Sequence, residues 1–226
     1  MSSAMVYQAC LEISPDGACL AQLRDLPVCF ARGTGESETL QALEAALPDC
    51  FTWLSRHDQY MPRMQGLFRI PAAETVRISE ASIGAFFQAD AQPLSAEDLD
   101  WYTALLEWSY ADLEEACRAP RAPGGSGSAS PSSGQAPWAI VRSIIDTQYL
   151  LLSCIEPLGM RQSPPLPRLL PPDLVRHVAS ATLTTLRQAD KGLFQWQGAH
   201  NGERWSLRKM LRRTILLVRE QTQALG

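Results

Sequence analysis

The chain has 226 residues, of which 46% are hydrophobic and 19% charged, and a net charge of −4. There is enough apolar material for a core, which excludes wholesale disorder, and the acidic balance argues against a nucleic-acid partner, whose phosphates call for a basic excess. No apolar run reaches the roughly 18 residues of a membrane span: the longest, 144–152 and 210–218, are broken by Asp146, Gln148, Arg212 and Arg213.

The opening MSSAMVYQAC carries neither a basic n-region nor an apolar h-region, so the expected location is cytoplasmic. Six cysteines occur without a CxxC pair, and in a reducing compartment they read as buried small hydrophobes. Residues 6–13 are expected to form a strand, Asp16-Gly17 a tight turn, and residues 18–23 the returning strand. Asp25-Leu26-Pro27 ends that ladder, because proline donates no N–H, and residues 28–31 form a third strand. Thr34 is placed to cap a helix whose apolar face is Leu40, Leu43, Leu47, Phe51 and Leu54, with Glu36 and Glu38 at its positive end. Pro48 is expected to kink that helix or restart it. Residues 66–70 and 75–79 are β-prone, and residues 81–94 read as a connector whose Phe86 and Phe87 pin two domains together.

From Ser95 the period becomes helical. Ser95 and Asp98 make a capping signature, and Leu99, Tyr102, Leu105, Leu106, Leu113 and Cys117 mark one face of a long helix. The Pro/Gly/Ser-rich stretch 119–137 reads as a flexible loop inside the second domain. A second helix covers 138–155, a proline-rich crossover covers 157–172, and Asp173 is expected to cap a third helix. Residues 192–203 read as a loop, and the fourth helix is expected over 205–225. The fold class is therefore α+β: a small β-sheet and helix in residues 1–80, then a four-helix bundle in residues 95–226.

The first domain resembles the HicB-like antitoxin domain. The carriers are Leu11-Glu12, Asp16-Gly17, the return strand, Asp25-Leu26-Pro27-Val28-Cys29, and Thr34 with Glu36 and Glu38; the family's glycine is Val28 here. The second resembles the DinB-like four-helix bundle through Trp138-Ala139-Ile140 and Trp205-Ser206-Leu207-Arg208-Lys209, and the order of the two resembles a pairing found in bacterial proteins. The bundle resemblance implies a metal held by one histidine eight residues after the first Trp and by two histidines four apart on the last helix. Two imidazoles at i and i+4 share a helix face, and a third arrives from a facing helix. Here those positions carry Asp146, Leu217 and Gln221. Leucine cannot ligate, and one or two poor ligands do not make a site, so neither a metal nor another cofactor is expected. His57, His177 and His200 have no partner at ligand spacing.

Asp146 reads as the one polar group on the inner side of its helix, either the remnant of a pocket engaging Arg208 or Arg212, or a surface acid on a slightly rotated helix. Trp138, Tyr149, Trp205 and Arg208 are its expected neighbours. The basic residues Arg204, Arg208, Lys209, Arg212, Arg213 and Arg219 read as a solvated face pairing with Glu107, Glu114 and Glu115. No Gly-x-Ser-x-Gly elbow or phosphate loop occurs. The expected role is a non-catalytic module that binds a protein or a small molecule, with a homodimer through the helices. The alternatives are a metal-dependent thiol S-transferase and an antitoxin-like binder of a small toxin.

Overall fold

Asp16-Gly17 makes the first turn of the chain. In the computed structural model, which describes residues 5–57, 68–118, 137–155, 169–188 and 190–225, Gly17 takes φ 86° and Asp16 Oδ1 accepts the Ala18 N–H at 3.1 Å. That positive φ is open to glycine at little cost and strained for other residues. The chain divides into two compact units, Met1–Gln92 and Pro93–Gly226.

The first unit opens with β1 (Met5–Val6), β2 (Ala9–Ile13), β3 (Ala18–Leu23) and β4 (Phe30–Thr34). It continues with α1 (Glu36–Ser55), β5 (Phe68–Arg69) and β6 (Ala72–Arg77). The four-stranded sheet runs β4-β3-β2-β6, antiparallel except that β6 lies parallel to β2, and β1 pairs with β5. The third strand starts at Phe30 rather than at residue 28, because Val28 and Cys29 finish a turn in which the Cys29 N–H donates to Leu26 O at 2.9 Å.

Helix α1 covers one face of the sheet with Leu43, Leu47, Cys50, Phe51 and Leu54. Its N-cap is Gly35, at φ 83°, and not Thr34, which belongs to β4; the Thr34 N–H is taken by Glu38 Oε2 at 3.1 Å. The helix also runs unbroken through Pro48. Pro48 is on the exposed side, where solvent can take the carbonyl that loses its helical donor. Gly33 is required by packing. A Cβ there would stand 2.8 Å from Thr39 Oγ1 and 3.3 Å from the Thr39 backbone.

Residues 81–92 are no connector: they belong to this unit. Three carboxylates pin them. Glu12 Oε2 accepts the Ala85 N–H at 2.7 Å, Glu74 Oε2 the Gln88 N–H at 2.7 Å, and Asp90 Oδ2 the Phe87 N–H at 2.9 Å. Phe87 is buried with Ala85 and Cys10 against Val76 and Ile78. It therefore fills the core of its own unit.

The second unit contains α2 (Ala96–Arg118), α3 (Pro137–Ser153), α4 (Pro171–Arg187), the single turn α5 (Lys191–Phe194), β7 (Gln197–His200), β8 (Glu203–Ser206) and α6 (Leu207–Leu225). The Ser95–Asp98 capping box forms reciprocally, each amide bonding the other's side chain at 2.9 Å. Helix α4 starts at Pro171, with Leu170 as N-cap and Asp173 inside the first turn, so Asp173 is not its cap. Proline suits those first positions because their amides have no helical acceptor.

Residues 192–206 also differ from the expected loop and helix start. Asn201 (φ 52°) and Gly202 (φ 78°) turn β7 back onto β8, and Trp205 belongs to β8. The expected loop at 119–136 and the crossover residues 157–168 lie outside the described residues.

Each of α2 and α3 packs against both α4 and α6. Ion pairs set the directions. Asp98–Arg208 and Asp112–Arg219 make α2 and α6 parallel, while Glu107–Arg187 and Glu114–Arg176 make α2 and α4 antiparallel. The core is filled by the expected face of α2 (Leu99, Leu105, Leu106 and Leu113), by Ile144, Ile145, Leu151 and Leu152 of α3, and by Leu207, Met210, Leu211 and Val218 of α6.

Candidate functional site

Helix α3 presents Ile140, Val141, Ile144, Ile145, Gln148 and Leu152 to the bundle interior at helical spacing. Asp146 is two residues from both Ile144 and Gln148, and residues two apart on a helix do not share a face. It therefore points outward: its side chain is half exposed and pairs with Arg142 at 2.9 Å, one turn earlier on the same helix. Of the two expected readings of Asp146, this geometry gives the surface acid and not the pocket remnant engaging Arg208 or Arg212. The polar residue on the inner face is Gln148.

Leu217 is half-buried between the buried Leu216 and Val218, and Gln221 is partly exposed in the last turns of α6. Tyr149 is buried, which pushes its phenol up. Trp138 is in the first turn of α3, and its side chain lies outside the described residues. His57 meets the edge of Trp53 at 4.9 Å, His177 is on the exposed side of α4, and His200 is in β7. Among the described residues no three His, Cys, Asp or Glu side chains lie together as a metal would require.

Gln148 holds the centre of a buried polar chain across three helices. The Tyr110 hydroxyl of α2 donates to Gln148 Oε1 at 2.5 Å, and Gln148 Nε2 donates to Thr182 Oγ1 of α4. Gln148 is fully buried, and Tyr110 and Thr182 nearly so. Burial pushes the Tyr110 phenol up, against the bonds from Thr182 and Gln148. Buried polar groups are tolerable when they satisfy one another in this way.

A second polar cluster closes the end of the bundle where α6 begins. Ser206 Oγ accepts the Lys209 N–H at 3.1 Å and so caps α6. The Lys209 side chain has no exposed surface. Its Nζ donates to Glu203 Oε1 at 2.5 Å and to Arg204 O at 3.1 Å, and lies 4.2 Å from the centre of the Trp205 ring. An ammonium over an indole face is attracted by the ring quadrupole. Trp205 is itself fully buried, and its indole N–H meets no acceptor among the described residues. The buried Cys154 thiol donates to Leu150 O at 3.2 Å. Burial, then the charge of Glu203, push it up to about 11 against the opposing pull of Lys209. It is a protonated thiol at neutral pH, the reverse of an activated nucleophile.

The other cations of α6 are also engaged rather than spread over a solvated face. Arg208 donates to Asp98 at 2.9 Å and to Pro93 O at 3.1 Å, with its guanidinium 5.8 Å from the Tyr102 ring centre. Arg219 meets Asp112 at 2.8 Å, and Arg212 is buried. Two of the three acids expected to serve α6 are used elsewhere: Glu107 and Glu114 pair with Arg187 and Arg176 of α4.

Partial burial alone would raise the Asp98 carboxyl, but the Ser95 amide and the Arg208 charge outweigh it and hold Asp98 below its ordinary range. A carboxyl depressed by folding stabilises the fold above its unfolded pKa, and that stability is lost as the pH falls through the folded value. Stability should therefore decline below about pH 4, near the ordinary Asp value, and the decline should be shallower in Asp98→Asn. Urea midpoints from pH 7 to pH 2 measure this; parallel acid limbs for the two proteins would refute it.

In the first unit, an open cavity of about 290 Å³ lies between the Asp16-Gly17 turn and residues 78–82, with Asp16 and Glu80 on its walls. Among the described residues no helix is long and apolar enough to cross a membrane. No protein-family model, curated protein or solved structure matches this chain.

Neither polar cluster was legible as such in the sequence. Gln148 falls on the apolar stripe of α3, which is the one local sign that it is buried. Asn201-Gly202 is a strong hairpin signal and locates the strand that carries Glu203 and Trp205.

Proposed function

We propose that the chain is a non-catalytic, cytoplasmic binding protein for a protein or small-molecule partner, built from a HicB-like unit and a DinB-like bundle whose metal positions no longer carry ligands. The observation that carries this reading is the outward turn of Asp146 into its ion pair with Arg142, while Gln148 takes the inner position and is bonded on both sides. The reactive groups at the end of the bundle point the same way. A nucleophile needs a lowered pKa or an adjacent base, whereas Cys154 is pushed up and Lys209 is neutralised by Glu203 inside the fold.

Zinc and nickel titration of the full chain, followed by dialysis and elemental analysis, tests the reading. The expected result is no ion retained in stoichiometric amount. One tightly held ion per chain would favour the metal-dependent transferase instead.

A further inference from the structure

Asn201 is the only asparagine of the 226 residues, and the residue after it is glycine. The two form the turn between β7 and β8, closed by the His200–Glu203 pairing, with φ 52° at Asn201 and 78° at Gly202. Positive φ at both central positions is the type I′ hairpin turn, for which asparagine followed by glycine is the favoured pair. Both residues are exposed, and a Cβ on Gly202 would meet nothing within 4 Å. Strands β7 and β8 have four residues each and form a two-stranded sheet. A ribbon of two short strands is marginal by itself, so its turn opens more readily than the larger sheet of the first unit.

We infer that Asn201 is a site of spontaneous deamidation, and that one of its two products unfastens the polar cluster at the start of α6. The Gly202 nitrogen, which no side chain shields, attacks Asn201 Cγ. The new C–N bond closes a five-membered imide while the Cγ–Nδ2 bond breaks, and ammonia leaves with the Gly202 amide proton. Water is the one co-reactant. It opens the ring at either carbonyl and returns a proton to the Gly202 nitrogen. Opening at Cγ gives aspartate. Opening at the main-chain carbonyl gives isoaspartate, whose chain runs through Cβ and Cγ and is longer by one CH2. Each product carries one new negative charge.

The two products differ in what they do to β8. Aspartate visits the left-handed region as asparagine does, so the turn survives. The extra main-chain atom of isoaspartate does not fit a two-residue turn, and the length of that turn sets the pairing register of the hairpin. Glu203 follows Gly202 directly. Its carboxylate accepts the buried Lys209 ammonium at 2.5 Å, and the Trp205 ring, two residues on, has its centre 4.2 Å from the same nitrogen. A displaced β8 draws both away from Lys209.

The test is storage of the full native chain in warm, mildly alkaline buffer, followed by ion exchange and by peptide mapping with an isoaspartate-specific methyltransferase. The expected result is a species more acidic by one charge, with aspartate and isoaspartate in place of Asn201. That species should unfold at a lower urea midpoint than Asn201→Asp, which carries the same charge on an intact turn. Asn201→Gly keeps the positive φ but has no side-chain amide, and should give no acidic species. Three results would each overturn the inference: Asn201 intact after storage that converts the urea-unfolded chain, a charge change that maps to a glutamine, or equal midpoints for the acidic species and Asn201→Asp.

Discussion

Replacing Lys209 with alanine is expected to destabilise the bundle by about 3 kcal/mol, near the lower end for breaking a buried ion pair. The ammonium has no exposed surface, whereas the Glu203 side chain is 15% exposed. Removing the lysine leaves a largely buried carboxylate without its cation and uncovers the face of Trp205. The residual exposure of Glu203 lets water recover part of the cost, which is why the larger values in that range are not expected. Five of the six tryptophans fall in Pro93–Gly226, so their fluorescence during urea unfolding reports on this unit. The double variant Lys209→Met with Glu203→Gln separates charge from packing. It should recover most of the loss, because neither buried charge is left unpaired. A loss below about 1 kcal/mol for Lys209→Ala, the value of a surface pair, would mean that the pair is effectively solvated.

Gln148→Leu should cost about 3 kcal/mol although it makes the bundle interior more apolar. The leucine fits the stripe of α3, but the Tyr110 and Thr182 hydroxyls then lose their partner inside the core, at about 1–3 kcal/mol for each unsatisfied group. The control is the triple variant that adds Tyr110→Phe and Thr182→Val. With all three polar groups gone, most of the stability should return, since replacing a complete network by apolar groups of similar shape is close to neutral. A Gln148→Leu variant as stable as the wild type would show that the hydroxyls find other acceptors. A triple variant less stable than Gln148→Leu would assign the cost to packing instead.

Both substitutions concern residues that hold the bundle together, and this bears on function. Interior polar groups in a helical bundle are often a site. Here the Tyr110 hydroxyl, the Gln148 amide and the Lys209 ammonium each donate to an acceptor on another element. Such pairings fix which helix lies against which, and the apolar stripes alone would tolerate several alternatives.

Much of this protein was determined by local sequence. The Asp16-Gly17 turn, the stripe of α1, the reciprocal Ser95–Asp98 cap and the apolar face of α2 were all readable, because turns, caps and periodic burial depend on residues within a few positions of one another. The Asn201-Gly202 hairpin is equally local, and it keeps Trp205 and Ser206 in β8, so the last helix starts two residues later than expected. Tertiary structure alone decided the rest. Asp146 and Gln148 are both polar interruptions of one apolar run; spacing puts Gln148 on the stripe, but only the neighbouring helices supply the Tyr110 and Thr182 partners that let it be buried. Lys209 looks like any surface lysine until β8 brings Glu203 and Trp205 over it. Residues 81–92 look like a connector until Glu12 of β2 and Glu74 of β6 take their amides. In each case the deciding partner is distant in sequence or on another element, and the cost of burying a polar group is set by whether that partner arrives.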